Sequence, residues 1–156
     1  MFYFAYGSNL DWAQMRGRCP SAKFVAIAEL RKHRLKFTRK SDRRGYGVSD
    51  VFADDTKSVW GVVYDVAETD IGLLDKDEGY RPGRDRAANS YVREQRHVLR
   101  DGDEEHPLLV WLYVGNPQPN PPLPNADYKT LLVEGADYWH LPNEYIEELK
   151  QIEVAK

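Results

Sequence analysis

The sequence predicts an α+β fold, antiparallel strands accompanied by short helices, and three observations predict it. Strand-length runs rich in aromatic and β-branched residues recur along the chain, bounded by Gly, Pro, Asn or Asp. Two stretches in the last thirty residues carry apolar side chains at helical spacing. A chain of 156 residues with 42% hydrophobic content is long enough to bury a real core, so residues 1–156 are expected to form one globular domain.

Taken in order, residues 2–4 read as a buried aromatic strand that breaks into a small polar turn, Tyr6-Gly7-Ser8-Asn9. Gly7 supplies a bend without steric cost, and Ser8 or Asn9 can cap a helix beginning near Leu10. Such a strand-to-helix corner directs unpaired N–H groups outward, which suits a carboxylate or a developing oxyanion. A capped turn without a ligand is the other reading. Ser8 and Asp11 form an S-x-x-D start signal, Trp12 and Met15 share one side of the short helix that follows, and Cys19-Pro20 ends it.

Residues 22–30 and 33–38 read as strands, the second half-buried with Leu35 and Phe37 on one face. After a polar turn at residues 41–45, residues 46–52 and 58–66 read as two more strands joined by a turn through residues 53–56. Gly61 inside the second marks a bulge or a close backbone approach. Thr69 caps a short helix from Asp70, and Gly79 stops it. Ile71, Leu74 and Glu78 fall on one stripe of that helix, while Asp75 and Asp77 point elsewhere. A carboxylate on an inward stripe has its pKa raised by desolvation and makes a good general base. The alternative is a frayed last turn with Glu78 in solvent.

Arg81, Arg84 and Arg86 occupy the next loop and can meet an anionic substrate or pair with Asp77 and Asp85. Residues 91–100 and 107–114 form a hairpin turned at Asp101-Gly102, with Pro107 at a strand beginning. Residues 116–125 hold five of the nine prolines and form an extended loop, expected beside any pocket. A helix from Asp127 presents Tyr128, Leu131, Leu132, Gly135 and Trp139, and Asn143 caps a last helix with Ile146, Leu149 and Ile152 inward.

Composition excludes several classes. The formal net charge of -3 argues against a general polyanion binder. Residues 31–44 depart from it, with eight Lys or Arg against Asp42, leaving 14 basic and 24 acidic residues elsewhere. That run reads as a solvated hairpin face, because only Phe37 and nearby Tyr46 offer stacking platforms for nucleic acid. Cys19 stands alone, so no intramolecular disulfide can form and a reducing, cytoplasmic location is expected. There is no signal peptide pattern, and the longest apolar runs are strand-sized, so no membrane partner is expected. Histidines at 33, 97, 106 and 140 lack metal-ligand spacing, and no metal is expected. Phosphate-binding glycine loops are absent, and YGSNL lacks the second glycine of a nucleophile elbow, so Ser8 reads as structural.

FYFAYGSNL, SVWGVVYDV, LLDKDEGY, DYKTLLVEGA and LPNEYIEELKQI occur in an order that resembles the gamma-glutamylcyclotransferase family, across nearly the whole chain. The resemblance implies a small, mostly antiparallel barrel flanked by short helices. It implies conversion of a γ-glutamyl amide or dipeptide into 5-oxoproline with release of the amine, without a cofactor. Glu78 matches the family's acid/base. Tyr3, Phe4, Ala5, Tyr6, Gly7, Ser8 and Asn9 match its substrate-holding strand and loop, and Tyr128 matches a pocket tyrosine. Residues 80–91 are longer and more basic than the family pattern, and border the leaving-group side in this reading. The partner expected is a small γ-glutamyl molecule, bound by a monomer or homodimer. The competing reading is a non-catalytic binding or regulatory domain of the same fold that holds an acidic or nucleic-acid partner on residues 31–44.

Overall fold

The computed structural model describes residues 1–156. Five strands close into a barrel in the order β1-β3-β2-β4-β5: β1 (Phe2–Ala5), β2 (Lys23–Lys40), β3 (Gly47–Asp65), β4 (Tyr91–Arg100) and β5 (Pro107–Gly115). Every pairing is antiparallel except the closing one, where β1 runs parallel to β5 at Tyr3 and Trp111. The α+β barrel implied by the motifs is therefore what forms. Four helices flank it: α1 (Trp12–Arg18), α2 (Ile71–Asp77), α3 (Ala126–Tyr138) and α4 (Asn143–Lys150). No helix is long and apolar enough to cross a membrane.

The largest departure from the sequence reading is the β2–β3 ribbon. The two runs at 22–30 and 33–38 are one 18-residue strand, and those at 46–52 and 58–66 are one 19-residue strand. Residues 53–56 do not turn the chain back, because both halves of β3 pair with β2. Instead the register shifts between Arg31 and His33, where Lys32 alone, at φ 59°, stands opposite residues 54–57. Polar residues at that point mimic a turn in sequence, yet they bend a continuous ribbon as bulges do. The turn that does reverse the chain is at 41–46, as the sequence indicates. Gly61 is a close approach, since a Cβ there would stand 2.3 Å from the Ala5 carbonyl oxygen.

The helices explain why the N-terminal turn is rigid. α1 is capped by Asp11, whose carboxylate accepts from Gln14 N at 2.9 Å, and not by Ser8 or Asn9. Residues 8–10 make a single tight turn before it. α3 lies on that turn, with Trp139 Nε1 donating to the Leu10 carbonyl at 2.9 Å and Leu10 itself fully buried. α3 is capped by Asn125, which accepts from Tyr128 N at 2.8 Å. Asn143 is the first residue of α4 and its capping position is Pro142. The proline loop packs along the ribbon, giving its Leu123 carbonyl to Gly47 N and taking Thr38 O with Gln118 N. It contributes no residue to the cavity described below.

Candidate active site

A cavity of about 520 Å³ opens where four segments meet: the Tyr6-to-Asn9 turn, the β2–β3 turn, the end of α2 and the start of α3. Glu78 reaches it because α2 ends abruptly. Gly79 at φ 65° donates to the Lys76 carbonyl, and Tyr80 N donates to the Asp75 carbonyl at 2.8 Å. These paired bonds are a Schellman stop, which fixes the last helical turn rather than letting it fray. Glu78 therefore faces the cavity, beside the buried Leu74.

Burial pushes the Glu78 carboxyl up to about 7, opposed by Arg18 and reinforced by Asp77, with Arg43 and Arg44 also opposing. No hydrogen bond acts on it. Tyr3, Tyr6, Tyr91, Tyr113 and Tyr128 also line the cavity, and desolvation drives all five hydroxyls upward, so they remain neutral donors. Glu78 is thus the displaced group brought towards neutrality, where it can both take and return a proton.

The opposite wall is built around Asn9. Its Nδ2 donates to Tyr3 Oη at 3.0 Å, its Oδ1 accepts from Gln14 Nε2 and Arg18 Nη1, and its carbonyl accepts from Tyr64 Oη. The amides of Gly7, Ser8 and Asn9 donate to no backbone carbonyl and cannot be satisfied within the turn. Gly7 is required by proximity: a Cβ would stand 2.3 Å from Ser49 Oγ and 3.2 Å from Tyr128 Oη. Ser49 Oγ and Tyr128 Oη are themselves bonded at 2.8 Å. Tyr3 Oη accepts from Asn9 while its own proton has no acceptor in the chain, leaving a neutral donor in the cavity.

Glu78, Tyr3, Tyr6, Gly7, Ser8, Asn9 and Tyr128 thus come together from three separate stretches of chain. Phe4 and Ala5 do not. Adjacent on β1, they point to opposite faces, and both faces are covered by the core, leaving them 0% and 1% exposed. Ser8 Oγ accepts from Gln14 Nε2 at 2.8 Å, a structural tie, and Cys19 is buried. Asp75 corrects the reading that it points away: it is buried, accepts from Tyr113 Oη at 2.7 Å and lies 3.6 Å from Arg93 Nε. No group of His, Cys, Asp and Glu is arranged to hold a metal ion.

The arginines exchange places relative to the sequence reading. Arg81, Arg84 and Arg86 do not line the cavity; Arg84 binds Asn89 and the Gly79 carbonyl, and Arg86 pairs with Glu94 at 2.6 Å. The basic run divides instead. Arg31 and Arg34 meet Glu29, Glu104 and Asp54, and Lys36 lies over Phe52, so the outer ribbon is self-paired. Its far end, with Arg39, Lys40, Arg43 and Arg44, turns into the cavity wall. No local pattern signals this, nor Arg18, Ser49, Tyr91 or Tyr113, because barrel closure brings α1, the β2–β3 turn, β4 and β5 to the end of α2 from distant parts of the chain.

A model of the AIG2-like family matches residues 58–149. The chain is 35% identical over 155 residues to the gamma-glutamylcyclotransferase of Mus musculus and 33% identical to that of Homo sapiens, covering 97% of this chain and 78% of each relative. A solved structure named gamma-glutamyl cyclotransferase superposes with a TM-score of 0.88 at 30% identity, over 100% of this chain and 89% of that one. With likeness of that extent along its length, the chain belongs to the AIG2-like, gamma-glutamylcyclotransferase family of enzymes.

Proposed function

We propose that the protein cyclises the γ-glutamyl group of an amide or dipeptide to 5-oxoproline, releasing the amine, with Glu78 as acid and base. One observation carries this reading: a carboxyl without hydrogen-bond partners, raised to about 7, faces a cavity whose other wall offers free amides and neutral hydroxyls. The substrate's α-carboxylate sits on the amides of Gly7, Ser8 and Asn9. Ionised Glu78 takes a proton from the α-ammonium, and the freed nitrogen attacks the γ-carbonyl carbon within the same molecule. Charge develops on the carbonyl oxygen and is met by the Tyr3 hydroxyl. As the tetrahedral centre collapses, Glu78 returns its proton to the leaving nitrogen and the C–N bond breaks; the ring nitrogen gives up its second proton through Glu78 to the released amine, which departs as an ammonium, and the neutral five-membered lactam remains. No water is consumed.

The test is γ-glutamyl-alanine incubated with the protein in ¹⁸O-labelled water and read by mass spectrometry. Unlabelled 5-oxoproline with free alanine is the expected result. Labelled glutamate would mean hydrolysis, and recovery of intact dipeptide would reject the reaction.

A further inference from the structure

Six cationic side chains line the cavity against three acids, and they are unequally partnered. Arg18 and Arg43 both approach Asp77, at 3.8 and 3.7 Å. Arg44 has no carboxylate partner, although it is part-buried and desolvation lowers its pKa. Its guanidinium carbon lies 5.2 Å from the centre of the Tyr128 ring, and Nη2 donates to Gln14 Oε1 at 3.0 Å. A guanidinium carries five N–H donors in a planar fork, and this is the one donor the chain uses. A desolvated fork held on an aromatic face, with its remaining donors towards the cavity, is built to receive a carboxylate in two-pronged fashion.

Within the cyclisation reading, on which this inference rests, the substrate brings two anionic positions. The glutamyl α-carboxylate lies one carbon from the amine that Glu78 must reach, and the unpaired amides of Gly7, Ser8 and Asn9 serve it. Arg44 stands on the β2–β3 turn in the cavity wall, and with the glutamyl carboxylate served by those amides its fork is left for the second anionic position. We propose that Arg44 is the specificity-determining residue of this site: it binds a carboxylate on the leaving amine and so selects γ-glutamyl amino acids over γ-glutamylamines. Gln14 is its positioning residue. The same amide donates through Nε2 to Ser8 Oγ and Asn9 Oδ1, so one side chain sets the distance between the substrate cradle and the arginine fork. Gln14 touches both and does not line the cavity.

The experiment compares kcat/KM for γ-glutamyl-alanine and γ-glutamyl-ethylamide, which share the scissile amide and differ chiefly in the leaving carboxylate. The wild-type protein is expected to favour the dipeptide by roughly ten- to a hundredfold, the span of a charge-assisted pair. Arg44→Gln is expected to remove most of that preference, mainly through KM for the dipeptide, and Arg44→Lys to restore part of it. Gln14→Leu, which keeps bulk but releases the fork, is expected to narrow the preference about threefold or more. Equal wild-type turnover of the two substrates would overturn the assignment and leave cyclisation standing. So would an Arg44→Gln loss equal on both, which would place the glutamyl carboxylate on Arg44. Absence of 5-oxoproline from both substrates with the wild type would instead reject the cyclisation reading itself, and this inference with it.

Discussion

Two carboxylates, Asp50 and Glu78, sit near the same ring of tyrosines and are treated oppositely by the fold. Asp50 is fully buried on β3, and its oxygens accept from Thr38 Oγ1, Val51 N and Gly115 N, each at 2.8 Å. Those bonds tie β2, β3 and β5 together where the barrel is sealed. Glu78 receives no hydrogen bond and is left to desolvation, which carries it to about 7. The lesson is that burial alone does not mark a catalytic acid. Burial with both oxygens hydrogen-bonded makes a strut, whereas a desolvated carboxyl that faces a cavity without a hydrogen-bond donor is left free to trade protons.

The largest effect that separates the two is expected from Glu78→Gln. Loss of 5-oxoproline release should exceed about a thousandfold, in line with removal of a positioned acid/base. The same variant should be more stable than wild type at pH 8, by roughly 1–3 kcal/mol in urea unfolding, because the desolvated charge is gone. A variant that turns over normally would place the proton transfer elsewhere. Next comes Asp50→Ala, which strands a hydroxyl and two amides in the sealed barrel. Urea unfolding should record a loss of about 3 kcal/mol, with turnover per folded molecule within about threefold of wild type. If Asp50→Ala instead abolished turnover at unchanged stability, the contrast would fail and Asp50 would belong to the chemistry.

How much of this contrast is readable from sequence depends on whether local or long-range geometry decides it. Glu78 is legible because helical spacing from Leu74 and the stop at Gly79 are local, and the Schellman bonds form as that pattern requires. The Gly7 corner is legible for the same reason, although its cap falls on Asp11. Asp50 is not legible: it lies on a stretch of β3 whose facing depends on register shifts at Lys32 and Thr38 of β2. A shift of one residue exchanges the faces of a strand, so Asp50, Ser49 and their cavity neighbours could not be sorted into inside and outside. Asp75 misleads in another way, since a charged residue at that helical position is expected outside until Tyr113 and Arg93 are known to be waiting for it.

Tyr3→Phe probes the neutral side of the cavity. It removes the hydroxyl whose proton is uncommitted but leaves the ring stacked in the core. A fall in kcat of roughly ten- to thirtyfold with little change in KM is expected, as for a donor used mainly in the transition state. Equal losses in folding stability and activity would make Tyr3 a partner of Asn9 and nothing more.

The smallest expected effect is the pH response, and it tests Glu78 in the native protein without mutation. Only ionised Glu78 can accept the α-ammonium proton, so kcat/KM for γ-glutamyl-alanine should fall about tenfold from pH 8 to pH 6, with an apparent pKa near 7. Stability should move the other way. The folded-state pKa lies above the ordinary value of 4.5, so between the two the folded protein binds more protons than the unfolded chain. The stabilising contribution of protonated Glu78 is therefore fully present below about 4.5 and is lost as pH rises through about 7. An activity limb at about 7 and a stability loss that runs from about 4.5 and levels off above about 7, both absent in Glu78→Gln, would identify one carboxyl as their source. An activity limb near 7 with no matching stability component would assign the kinetic pKa to the substrate's amine, and the desolvated carboxyl would lose its place as the base.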